Sequence, residues 1–278
     1  MEVIYHNRIL NHECRTTEPD SATAFYIPFY TDQPYWNRSD GWDHFMTVGR
    51  ITWDFRRSKN EDWGSSYLYM PSLRNITRLL IERNPWDYFD VGVPHPTGFN
   101  PRSDSDVVQW KKFVRNRRCQ TLICFAGAPR STIKNDFRGL LLSQYQFLDS
   151  NFCLQLRGDS FSRRSVFDCM IAGSIPVFFW HRTTYLQYQW FLPNDPKCYF
   201  VFIHRDLVKN RTSIKTVLEN YSREEVNQMK EKVIQYIPKL VYAKPEKGLE
   251  KTNDAFDIAI DDVLQRIKEQ EQPGFKWK

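Results

Sequence analysis

Hydrophobic positions along the chain change texture twice. In the first third they are scattered among Tyr, Trp and Arg, and two short strands stand out: Phe25 to Phe29, and His44 to Trp53 with a turn at Gly49. From Pro71 onward Leu73, Ile76 and Leu80 recur at three- and four-residue steps, with the proline in the tolerated first turn. That spacing predicts an amphipathic helix ending before Asn84-Pro85. Ser103 to Asp106 has the form of a capping box ahead of Val107, Trp110 and Val114, and predicts a second helix.

The middle of the chain reads differently. A basic stretch, Arg115 to Arg118, precedes the apolar run Thr121 to Gly127, a buried parallel strand, and a helix follows from about Phe137 to Tyr145. Phe152 to Leu156 is a second such strand, Arg157 to Arg164 a polar loop, Ser165 to Ala172 a helix and Ile175 to Phe179 a third strand. Strand, loop, helix, strand is the βαβ unit of an α/β domain. Two amphipathic helices close the chain. One is opened by the capping box Ser222-Arg223-Glu224-Glu225 and carries Val226, Met229, Val233, Ile237 and Leu240; the other carries Phe256, Ile260, Val263 and Ile267. No internal repeat is present.

Composition narrows the class. With 278 residues, 41% hydrophobic and 26% charged, the chain can build one large or two modest cores, which excludes disorder and fibre. An aromatic share of 15% suits stacking against sugars or bases, and a formal charge of +6 favours an anionic ligand without the dense basic stripes of a nucleic-acid binder. No apolar run reaches the length of a membrane span. The six cysteines form no Cys-x-x-Cys pair and have no His at zinc-finger spacing, so no metal site is expected. Four Asn-x-Ser/Thr triplets, at Asn37, Asn75, Asn210 and Asn220, together with the even cysteine count, point to a secretory-pathway lumen.

The candidate chemistry sits in the βαβ unit. A loop leaving the carboxyl end of a parallel strand and entering a helix aims backbone N–H groups and the positive end of the helix dipole at one point, where phosphates bind. Here that point carries Ser160, Ser162, Arg163, Arg164 and Ser165, and two planar guanidinium forks match a diphosphate. Asp168, one helical step on, is placed to accept from ribose hydroxyls. Rossmann and P-loop glycine fingerprints are missing, which weakens the NAD and ATP-hydrolase readings. Asp104-Ser105-Asp106 spells a metal-diphosphate motif but lies inside a capping box, and the tripeptide Arg157-Gly158-Asp159 lies in the βα turn rather than on a protruding hairpin.

Long stretches of the chain are familiar. Phe152-Cys153-Leu154-Gln155-x-Arg157-Gly158-Asp159-Ser160-x-x-Arg163-Arg164-Ser165-x-Phe167-Asp168, followed by Gly173-Ser174-Ile175-Pro176-Val177-Phe178-Phe179, resembles the donor-binding region of plant exostosin-like glycosyltransferases. So do Tyr5-His6-Asn7-Arg8, Gly41-Trp42-Asp43-His44-Phe45, Gly49 to Arg57 and Phe125 to Arg130. Within that family the chain is most similar to the xyloglucan galactosyltransferases. The resemblance implies an α/β fold of GT-B type, two Rossmann-like domains facing a cleft. It further implies inverting transfer from UDP-galactose to a hydroxyl of xylose without a metal or other cofactor. Family members are Golgi-lumenal type II membrane proteins held by an N-terminal anchor that this chain lacks, with Golgi enzyme complexes as their setting. Against the family pattern the chain is shortened between Tyr30 and Pro34 and between Gln144 and Asn151.

On that basis residues 1–115 form an acceptor-side domain, 116–245 the nucleotide-sugar domain, and 246–278 a helix and tail packing back across both. Arg130, Ser160, Arg163, Arg164, Ser165 and Asp168 are assigned to the donor. Inverting transfer needs a base from the first domain. His44 is the first choice, followed by Asp43 and Asp54. A neutral, flat-faced glucan is held by stacking and amides, which selects Trp42, Trp53, Tyr185, Gln187, Tyr188 and Trp190. Two other readings stand beside this one: a relative using UDP-galacturonate or UDP-arabinose, and a shortened paralogue that binds glucan without catalysis. A glycoside hydrolase has no use for an arginine-lined helix start.

Overall fold

A computed structural model describes residues 1–28, 39–57, 65–125, 150–157, 161–244 and 246–272. Two parallel four-stranded sheets organise it. The first comprises β1 (Phe25–Ile27), β2 (His44–Ile51), β3 (Thr77–Glu82) and β4 (Asp90–Gly92); the second β5 (Thr121–Phe125), β6 (Ser150–Gln155), β7 (Ile175–Phe178) and β8 (Val201–Phe202), each in sequential order. Helices pack on both: α1 (Glu2–Leu10), α2 (Asp104–Asn116), α3 (Arg164–Ile171), α4 (Thr184–Gln187), α5 (Arg205–Lys209), α6 (Ile214–Glu219), α7 (Arg223–Tyr236) and α8 (Ala255–Gln270). These are two Rossmann-like domains in a GT-B arrangement. The helix expected at Phe137 to Tyr145 and both sites of shortening lie outside the described residues.

The predicted capping boxes are present. Ser103 accepts from the Asp106 N–H at the start of α2, and Ser222 and Glu225 satisfy each other's backbone N–H at the start of α7. β7 is buried along its whole length, which is what a central parallel strand covered on both faces requires. Gly173, at φ +72°, ends α3 in the left-handed region, and a Cβ there would fall 2.0 Å from Val114 Cγ1 of α2. Cys153 of β6 is bridged to Cys169 of α3, and the neighbouring Cys124 thiol is pushed up to about 11 by burial.

Two expectations are corrected. The helix predicted from Pro71 toward Asn84 is a short 3₁₀ turn, Pro71–Leu73, followed by strand β3, paired with β2 and β4. A strand covered on both faces loses its period-two alternation, and the apolar steps Leu73, Ile76 and Leu80 imitate a helix. Arg78 of β3 is 1% exposed because it pairs with Asp90 at 2.6 Å and with Asp87 at 2.7 Å. The first third also holds α1, missed because its buried Arg8 has partners in a distant segment: Asp254 at 2.6 Å and Asp257 at 2.5 Å, at the start of α8.

Candidate active site

In parallel sheets the carboxyl ends of the strands form the ligand edge. In the second domain β6 ends at Gln155, and its side chain is taken up by α3: Ser165 Oγ donates to Gln155 Oε1 at 2.9 Å, and Gln155 Nε2 donates to the Ser165 carbonyl at 3.3 Å. This exchange ties the start of α3 to the end of β6. Arg163 is the N-cap residue of α3, and its guanidinium reaches the Leu156 carbonyl at 3.4 Å. Arg164 is 59% exposed and meets Asp168 at 3.4 Å. Burial pushes the Asp168 carboxyl up, outweighing the charge of Arg164. Arg163, Arg164, Ser165 and Asp168 are thus gathered at one helix start, where an anion meets two guanidiniums and the dipole.

The same edge of the first domain is built by a buried charge cluster. Asp90, 0% exposed, accepts from Thr52 Oγ1 at 2.6 Å, from Arg78 Nε at 2.6 Å, from Arg56 Nη2 at 3.2 Å and from the Asn84 N–H at 3.1 Å. Arg56 also bonds Asp87. Burial opposes ionisation of Asp87, but Arg78 and Arg56 win and hold its carboxyl below the usual range. The cluster fixes the loops after β2 and β3, leaving Trp53 62% and Trp86 70% exposed.

The domains meet along these edges. Glu82, the last residue of β3 and 5% exposed, accepts both the N–H and the Oγ–H of Ser162, each at 2.7 Å. Arg83 donates to the Leu186 carbonyl and to Gln189, and its backbone exchanges two bonds with the Gln187 amide. The Tyr188 hydroxyl donates to the Ile81 carbonyl at 2.6 Å. Gly92 ends β4 so close to α4 that a Cβ would lie 2.2 Å from the Gln187 carbonyl oxygen. Beyond it, His95 packs on Phe167 of α3 with ring centroids 5.6 Å apart. Burial first, then the charge of Arg164, push its imidazole down to about 4. Arg182 of the second domain lies over the Trp86 ring at 4.7 Å.

The other predicted residues are distributed as follows. His44 and Asp43 stand at the amino end of β2, where His44 is 3% exposed, stacks on Phe25 and bonds Asp43. Ile51, at the far end of the strand, pairs with Glu82. His44 thus begins the strand, seven residues before Ile51, with a register shift between Val48 and Ile51. Asp54, in the turn after β2, is at the right edge and pairs with Arg50 at 2.8 Å. Gln187 and Tyr188 are buried joining the domains, Trp190 lies under Arg266, and Trp42 packs on the core, whereas Trp53 is exposed. Arg130, Ser160, Asn37 and the Tyr185 side chain lie outside the described residues, as do Gly158 and Asp159. Asn210 and Asn220 are exposed, whereas the Asn75 amide donates to Asp40. Asp104 accepts from the Glu250 and Lys251 N–H groups, in keeping with a structural role for that carboxylate. Glu82 and His95 carry no local motif, and sequence reasoning missed both.

Comparison with known proteins then decides the family. The Exostosin GT47 domain matches residues 31–147 and 143–219. The chain belongs to the exostosin GT47 family. It is 59% identical over 333 positions to the xyloglucan galactosyltransferase XLT2 of Arabidopsis thaliana, covering all of this chain and 64% of that protein. It is 36% identical to the xyloglucan galactosyltransferase MUR3 of the same plant, over 96% of this chain and 52% of that one, and 34% identical to its xyloglucan-specific galacturonosyltransferase 1, over 96% and 49%. The chain therefore spans about half to two thirds of the length of these relatives. The match to XLT2 runs over 333 positions against the 278 residues of this GT47 chain, leaving 55 positions without a counterpart. Among the described residues no helix is long and apolar enough to cross a membrane.

Proposed function

We propose that the chain is an inverting transferase that moves galactose from UDP-galactose onto xylosyl side chains of xyloglucan in the Golgi lumen. The observation that carries this reading is 59% identity along the whole chain to a xyloglucan galactosyltransferase, against 34% to a galacturonosyl relative. The site supports it. As the bond to the anomeric carbon breaks, charge grows on the departing diphosphate, and Arg163, Arg164 and the start of α3 are in place to offset it without a metal. Asp168 takes the ribose hydroxyls. Trp53, an exposed indole, is the proposed stacking face for the acceptor. Exposed Asn210 and Asn220 and the Cys153–Cys169 bridge suit a lumenal setting.

The test is UDP release from UDP-galactose with and without a xylosylated glucan oligosaccharide, in metal-free buffer, with UDP-galacturonate and UDP-arabinose as parallel donors. Acceptor-dependent release with UDP-galactose, lost in Arg164→Ala, is the expected result. Release with another donor alone reassigns the sugar. The 55 unmatched positions favour a second reading, a shortened glucan-binding paralogue, and folded protein that binds the oligosaccharide but releases no UDP would establish it.

A further inference from the structure

In the segments that follow β4 and β7, four buried side-chain atoms have no hydrogen-bond partner: His95 Nε2 and Thr97 Oγ1 from the first domain, Thr183 Oγ1 and Thr184 Oγ1 from the second. Buried polar atoms in folded proteins are satisfied in the large majority of cases, so each of these asks what else fills it. Three of the four are hydroxyls; the fourth belongs to an imidazole, the one group among them that can act as a base.

We propose that His95 is the catalytic base, its Nε2 receiving the proton of the acceptor hydroxyl. This rests on the transferase reading above. The position follows from the helix that binds the leaving group. Phe167, against which His95 packs, lies one turn after Arg164 on α3, so the imidazole stands beside the assigned diphosphate site. The reacting carbon of a nucleotide sugar is bonded to that diphosphate, so a base for inverting attack has to stand about one sugar ring away. His95 enters from the opposite domain, as attack on the face away from the leaving group requires. Its backbone is fixed twice: Pro94 and Pro96 restrict the chain on either side, and the Tyr242 hydroxyl donates to the Pro94 carbonyl at 2.8 Å.

Its protonation state suits the role. The charged group that acts on it is Arg164 of α3; the Tyr242 hydroxyl, bonded to the neighbouring Pro94 carbonyl, and the Tyr188 hydroxyl, on a ring that packs on Phe167, are both kept protonated by burial. Burial and Arg164 hold the imidazole neutral, with a lone pair free. A bound diphosphate compensates Arg164 and relaxes that push, so donor binding raises the basicity of His95 just when it is needed. In the step, the acceptor O–H bond breaks and its proton passes to Nε2. The oxygen's electron pair forms the new bond to the anomeric carbon, and the pair of the old carbon–oxygen bond leaves with UDP. Thr97, two residues on, is placed to accept from or donate to a neighbouring sugar hydroxyl.

The experiment uses the full chain, wild type and His95→Gln, with His95→Asn should the first fail to fold. Three readouts are taken: kcat and KM for transfer from pH 4.5 to 8.5, the rise in Tm on adding UDP, and the 15N resonance of His95 Nε2 in histidine-labelled protein with UDP and the oligosaccharide. The proposal expects kcat to fall about 10²- to 10⁴-fold with the UDP-induced rise in Tm retained, and the acidic limb of the wild-type profile to vanish. It also expects the Nε2 resonance to move when the oligosaccharide joins UDP. A kcat within threefold of wild type with the acidic limb intact overturns it. If the wild type transfers nothing from any UDP-sugar, the transferase reading fails by itself. A resonance that still moves with the oligosaccharide then supports His95 as the hydroxyl contact, and one that does not overturns this inference as well.

Discussion

The two strand edges that face each other across the cleft have the same architecture and opposite electrostatics. On the first domain Arg56 and Arg78 are consumed by Asp87 and Asp90 in a cluster with Asp90 0% and Arg78 1% exposed. On the second, Arg164 is 59% exposed and pairs with a part-exposed carboxylate, Asp168. Both edges are rich in arginine in the sequence, and the partners decide what the arginines do. A guanidinium neutralised inside the fold sets the shape of loops, and one left at a helix start remains available to an anion. The first edge is therefore shaped by buried charge and presents indoles, while the second presents the charge itself.

Removing Asp90 tests the first half of this contrast and has the largest expected effect. Asp90→Ala leaves Arg78 buried beside one remaining carboxylate and strips Thr52, Arg56 and the Asn84 N–H of their acceptor. The expected loss is about 3–5 kcal/mol, a fall in Tm of about 10 °C, read by thermal unfolding. A fall below 2 °C would mean the cluster does not hold the edge. Arg164→Ala tests the second half. UDP affinity is expected to drop about 10- to 100-fold, the worth of a charge-assisted hydrogen bond of roughly 1.5–3 kcal/mol, with Tm of the free protein unchanged within about 1 °C. Titration calorimetry with UDP separates the two, and unaltered affinity would make both edges structural.

This asymmetry also explains what could be read from the chain. The second domain was legible: apolar runs at β5, β6 and β7 bounded by polar loops, the capping box of α7 and the arginine-bearing start of α3 are all local signals. The first domain hid its order in long-range pairs. β3 imitates a helix because its polar Arg78 finds Asp90 twelve residues away, and α1 buries Arg8 against Asp254 across 246 residues. β8 has two residues and no period to read. Asp43-His44 drew attention as an adjacent acid and imidazole, yet the parallel register with β3 puts the pair at the wrong end of the strand. Glu82 and His95 become site residues only through contacts made by another domain, which no spacing in the sequence records.

The joint between the edges gives an intermediate effect. Glu82 accepts two bonds from Ser162, the residue before Arg163, and so fixes the loop where it enters α3. Glu82→Gln keeps one acceptor oxygen of the right size but loses the charge. We expect about 1–2 kcal/mol of stability to be lost and the KM for the UDP-sugar to rise severalfold, while Ser162→Ala, which retains the backbone bond, costs less on both counts. Equal KM values in both variants and the wild type would show that the loop is set by Gln155 and Ser165 alone.

The smallest effect differs between the edges in sign. Asp87 is held below the usual carboxylate range, so its contribution to stability is complete above that range and is lost as pH falls through its folded value. Asp168 is raised, mainly by burial, so its ionised form costs stability at neutral pH, and that cost disappears as pH falls from above its folded value toward about 4, the unfolded one. Asp168→Asn should therefore leave the free protein slightly more stable than wild type at pH 7, with the gain fading toward pH 4, and at the same time weaken UDP binding by removing the charge and one of the two acceptor oxygens proposed for the ribose hydroxyls. Tm measured from pH 4 to 7, with and without UDP, reads both arms. A variant less stable than wild type at pH 7 would mean that the ion pair with Arg164 outweighs burial, and that this edge too spends its charge on the fold rather than on the ligand.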